Sequence, residues 1–82
     1  MNAIEIIKEQ IEGLKFDINY DKKHLDEMIE QFKERANRFD VTSIIAWDVS
    51  FDQKRIYELY NKIRNENETL QRLQYIIDNA NE

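Results

Sequence analysis

Ile4, Ile11, Ile18, Leu25, Phe32 and Phe39 stand seven residues apart and form an unbroken apolar row. A second row, Ile7, Leu14, Asp21, Met28 and Arg35, follows three residues behind each member of the first and has two polar members. Side chains at this alternating spacing of three and four share one face of an α-helix. A pattern held over five heptads marks a helix packed lengthwise along a single seam. It predicts a helix over residues 3–38, about 50 Å long at 1.5 Å per residue. Gly13 lies inside that span and costs about 1 kcal/mol relative to alanine, but the period runs through it.

The second half repeats the arrangement, with Ile56, Ile63, Leu70 and Ile77 in one row and Leu59, Glu66, Leu73 and Ala80 in the other. Ser50 followed by Gln53 reads as a capping box, and Asp48 and Asp52 suit the positive end of a helix dipole, so a second helix is predicted over residues 51–80. Glu58 with Lys62 and Glu68 with Arg72 are favourably ordered i,i+4 pairs. Residues 39–50 between the helices are poor in charge and rich in β-branched side chains. Asp40 or Thr42 can cap one short helix there, whereas a lone strand would have nothing to pair with. The fold class is therefore all-α: an antiparallel helical hairpin forming a single domain over residues 1–82, with a connector that is irregular or one short third helix. Setting Phe32 against Leu59 brings Met28 to Ile63, Ile18 to Leu73, Leu14 to Ile77 and Ile11 to Ala80. Every one of these pairs is apolar on both sides. The same register places Asp21 opposite Leu70 and Glu66 opposite Leu25.

A chain of 82 residues has room for one small domain and a thin core. The absence of cysteine removes disulfides and thiolate metal sites, leaving regular helix packing or assembly as the sources of stability. The absence of proline and the single glycine argue against a turn-rich β fold. A net charge of −5 disfavours nucleic acid as a partner. Acidic and basic residues are interspersed, as around Asp21, Lys22 and Lys23, which is the pattern of a solvated helix face. The start, MNAIEIIKEQ, shows no basic segment followed by a long apolar run, and no stretch has the length to span a bilayer. The expectation is a soluble, cytoplasmic protein with no membrane association. Small size and richness in Ile, Asn, Lys and Glu would fit an accessory protein of a bacterium, phage or mobile element.

Two carboxylates, Asp21 and Glu66, interrupt the seam, and His24 lies one turn from Asp21. Asp21-x-x-His24 resembles in spacing one limb of the Glu-x-x-His motif of ferritin-like di-iron bundles. That resemblance implies Asp21, His24 and Glu66 as candidate metal ligands, doubled if the hairpin dimerises. The other explanation is structural: Asp21 and Glu66 are polar layers that set register, partnered by Lys22, Lys62, His24 or Asn67. No nucleophilic constellation can be assembled around one histidine without cysteine, and one glycine cannot build a phosphate loop. The chain reads as non-enzymatic and free of cofactors.

Apolar side chains off the seam are the remaining signal. Ile6, Phe16 and Tyr20 point outward on the first helix, with Gly13 on the same face, where a glycine lets another backbone approach. Tyr57 and Tyr60 share one flank of the second helix, where Ile29 should meet them, and Tyr75 and Ile76 lie near the open end. Trp47 either folds over Tyr57 and Tyr60 or faces a partner. Aromatic side chains of this kind concentrate interface energy. Ile6, Phe16, Tyr20, Trp47, Tyr57 and Tyr60 are the expected partner-binding residues, and two hairpins pairing as a homodimer into a four-helix bundle would cover part of that surface. The expected function is a protein–protein interaction module that regulates or inhibits a target protein. The alternatives are an assembly hairpin and a carboxylate–histidine metal bundle.

Overall fold

The computed structural model describes residues 2–38 and 49–80. Two helices, α1 (Ala3–Arg38) and α2 (Val49–Ala80), pack antiparallel on one another, and the described residues contain no strand. The molecule measures 63 × 17 × 15 Å, a rod two helices thick. No described helix is long and apolar enough to cross a membrane. The expected connector, and with it Trp47, lies outside the described residues.

The first helix starts where the chain supplies an answer to its free N–H groups. Asn2 Oδ1 accepts from the Glu5 N–H at 2.9 Å, so Asn2 is the N-cap of α1, and Glu5 adds its charge to the first turn. Arg35 and Arg38 occupy the last turn of α1, where cations suit the negative end of the dipole. The start of α2 corrects the capping box expected at Ser50. The helix already includes Val49, so Ser50 has helical geometry and cannot act as the flanking cap. Asp52 does lie in the first turn of α2.

Burial follows the heptad rows closely. Ile11, Ile18, Ile63 and Ile77 are the buried apolar residues among those described. Ile4, Ile7, Leu14, Leu25, Met28, Phe32, Ile56, Leu59, Leu70 and Leu73 are half-buried, and all belong to the two rows. Ala80, expected beneath Ile11, is exposed. The reason is register. Arg35 Nη1 meets Asp52 Oδ2 at 2.6 Å, the Asp21 and Glu66 carboxyls lie within hydrogen-bonding reach of each other, Met28 shares a groove with Leu59, and Phe32 shares one with Ile56. These pairs place α2 about four residues, or roughly 6 Å, from the alignment that sets Phe32 against Leu59. Asp21 thus faces Glu66 and not Leu70. Polar seam residues meet polar seam residues, and the first row of α1 meets the first row of α2.

A rod of two helices keeps much of its surface wet. Its accessible area is 6593 Å² for 10.0 kDa.

Candidate functional site

Both polar layers of the seam come from the same heptad row, Asp21 and Arg35 on α1 and Asp52 and Glu66 on α2. The Arg35–Asp52 pair ties the helices near their closed end. The Asp21–Glu66 pair sits mid-rod, where Asp21 retains only 5% of its exposure and Glu66 is half-buried. Lys62 Nζ lies 3.0 Å from Asp21 Oδ2, but off the line of a well-directed hydrogen bond. Asp21 Oδ2 and Glu66 Oε1 both remain buried without an aligned donor. When Glu66 is protonated, its carboxyl can supply that donor.

The protonation follows from the surroundings. The hydrogen bond from Glu66 holds the Asp21 carboxyl below its usual range, against the opposing effect of burial, and Lys62 adds to the lowering. Burial, the hydrogen bond to Asp21 and the repulsion of its charge push Glu66 up to about 7, with Lys62 opposing. Asp21 in turn raises the Lys62 ammonium. The site is an acid–carboxylate pair with a lysine at its rim.

His24 faces the flank grooves that Met28, Arg55, Glu58 and Lys62 line, and its charge reaches Asp21 only through space. Among the described residues no three His, Asp or Glu side chains gather closely enough to hold a metal ion. Within one chain Asp21, His24 and Glu66 are thus not gathered into such a group. The seam supports the polar-layer explanation, with Lys62 as the partner.

The two flanks of the seam differ in character. On one, His24, Gln31, Arg35, Asp52 and Arg55 border a small polar cavity of about 100 Å³. On the other, Leu25, Ile29, Phe32, Ile56, Tyr57 and Tyr60, with Gln53, line an open groove of about 520 Å³. Tyr57, Tyr60 and Ile29 are thus brought together on one face. Ile6, Phe16 and Tyr20 lie elsewhere, on the outer side of α1; Phe16 is 71% exposed and Tyr20 66%. Tyr75 and Ile76 form a shallow patch with Glu68, Gln71 and Arg72. Phe51 is a further exposed aromatic that the heptad reading passed over, with the Arg55 guanidinium 5.8 Å from its ring centre. The i,i+4 spacing of an aromatic and an arginine was the available signal.

Gly13 shows the limits of the outer face. A Cβ placed there meets nothing within 4 Å, so no intramolecular contact requires the glycine. Gly13→Ala is expected to stabilise the free chain by about 1 kcal/mol, measured by urea denaturation. If the same substitution also weakens association, another backbone comes close at that point.

Compared with known protein families, curated proteins and solved structures, the chain matches none, so its function rests on the geometry above.

Proposed function

We propose that this hairpin is a non-enzymatic protein-binding module, cytoplasmic, that pairs with a second copy into a four-helix assembly and docks on a target protein to regulate or inhibit it. The observation that carries the reading is exposed aromatic surface on two separate faces, the outer side of α1 and the Tyr57–Tyr60 flank. Phe16 and Tyr20 are neighbours one turn apart, and the hairpin makes no use of them for its own core. Large amphipathic rings with few rotatable bonds are what interface centres employ. Trp47 remains part of the proposed surface on its residue type alone.

The test compares the natural chain with a Phe16→Ser, Tyr20→Ser double variant for target capture and for helicity by circular dichroism. Capture is expected to weaken by at least about tenfold, the scale of one strong interface side chain, with helicity unchanged. Loss of helicity would make the rings structural, and unchanged capture would remove them from the interface.

A further inference from the structure

We infer that the outer face of α1, around Ile6, Gly13, Phe16 and Tyr20, docks a basic amphipathic helix of the target protein. The inference rests on the target-binding reading above and gives the target its chemistry.

Charge on the outward rows is the first argument. On α1 the rows farthest from the seam start at Glu5, Ile6 and Glu9 and continue at intervals of seven. Glu5, Glu12 and Asp26 stand on one side of the line through Ile6, Gly13 and Tyr20, and Glu9 and Glu30 on the other. Glu27 and Glu34 prolong the line itself, and the basic members of these rows are Lys23 and Lys33. The outward rows of α2, which start at Ser50, Phe51 and Lys54, are balanced, with Glu58, Glu68 and Asp78 against Lys54, Arg64 and Arg72. The excess of acid therefore belongs to one face and not to the rod at large. Glu12, Glu30 and Glu34 hold loose ion pairs along α1, at 3.5, 3.4 and 3.9 Å. Glu5, Glu9, Asp26 and Glu27 hold none among the described residues.

Shape is the second. Ile6, Phe16 and Tyr20 are large exposed side chains, and the stretch from Ile6 to Tyr20 covers about four turns, roughly 21 Å. Between them Gly13 presents bare backbone, with open space where a Cβ would stand. A helix laid along this line can approach closely at Gly13 while Ile6 and Tyr20 hold it on either side. Phe16 and Tyr20 lie about 33 and 27 Å along the axis from Arg38, so the face is remote from the closed end.

Sign selects the occupant. A second copy offering the same face would set acid against acid, and the phosphates of nucleic acid or of an anionic lipid surface would be repelled. A helix with an apolar stripe between rows of lysine or arginine answers both features. Its stripe covers Phe16 and Tyr20, and its cations meet Glu5, Glu9, Asp26 and Glu27.

Fluorescence anisotropy of labelled peptides against the full chain tests the chemistry. The probe is a leucine–lysine peptide of about five helical turns, beside versions with glutamine or glutamate in place of lysine. The lysine peptide is expected to bind at least about tenfold more tightly than the glutamine version, and the glutamate version not to bind. Phe16→Ser with Tyr20→Ser and, separately, Glu9→Lys with Glu27→Lys should each weaken the lysine peptide at least about tenfold, with helicity retained. Glu58→Lys with Glu68→Lys makes the same change of net charge on α2 and should weaken it less than about threefold. Equal weakening by the two charge-reversed chains would overturn the inference, since the peptide would then be answering overall charge and not this face. A glutamine peptide that binds as tightly as the lysine peptide, and is lost in the Phe16→Ser, Tyr20→Ser chain, would overturn the basic partner and keep the docking face. Peptides indifferent to that double variant would overturn both.

Discussion

Replacing both seam acids at once, Asp21→Leu with Glu66→Leu, is expected to raise the melting temperature by roughly 10 °C. Removing a buried polar cluster in favour of well-packed apolar groups of similar size yields about 1–4 kcal/mol in comparable cases. For a domain of this size each kcal/mol moves the midpoint by about 4–8 °C. The single substitutions should go the other way. Glu66→Leu leaves Asp21, almost fully buried, with Lys62 as its remaining ion-pair partner and no acid proton to accept. Asp21→Leu leaves Glu66 buried without the acceptor that its proton serves. A thermal-melt double-mutant cycle checks this: a double variant less stable than the natural chain would show that the pair contributes net stability. The gain has a cost in specificity, because a leucine pair no longer distinguishes one alignment of the helices from the next.

The second large effect is on pH dependence. Glu66 titrates near 7 in the folded hairpin and near 4.5 when unfolded, so its contribution is complete below pH 4.5 and is lost as pH rises through 7. Asp21 is displaced in the opposite direction, so its contribution is present above its ordinary value of 3.8 and is lost as pH falls below that. Stability should therefore peak near pH 4, between the two ordinary carboxyl values, and fall by about 1–3 kcal/mol by pH 8, the partly wet setting of Glu66 reducing the effect. Denaturant titrations across that range measure it. Glu66→Gln, whose amide donates to Asp21 at every pH, should abolish the decline and exceed the natural chain at pH 8. The charges facing the pair are Lys62, Asp17 and His24. A decline that survives Glu66→Gln would have to arise from those neighbours.

The two helices were legible because burial and the heptad rows coincide: Ile11, Ile18, Ile63 and Ile77 are row members by count and buried residues by packing. Register was not legible from the apolar rows alone. Leucine and isoleucine accept one another in several alignments, so matching apolar with apolar admits solutions one turn apart. The discriminating information lay in the interruptions. Asp21 and Arg35 are separated by two heptads on α1, as Asp52 and Glu66 are on α2, and only one antiparallel alignment answers both pairs together. Two acids can face each other when one carries a proton, and that is a property of the folded environment. The Asp21-x-x-His24 interval places both residues one turn apart, with Asp21 on the seam and His24 on the flank beside Met28, Arg55 and Glu58. The aromatic surfaces were visible as off-seam residues, and their division between two faces became apparent only with the helices in place.

The matched spacing of the two polar layers constrains how a chain of this design can change length. Inserting one heptad into a single helix between the layers would force a choice, since either the acid pair or the Arg35–Asp52 pair would then confront leucine. Adding a heptad to both strands at the same level would keep both. Growth or shortening of the rod is thus permitted only in symmetric steps, like adding rungs to a ladder, with both rails cut to the same mark.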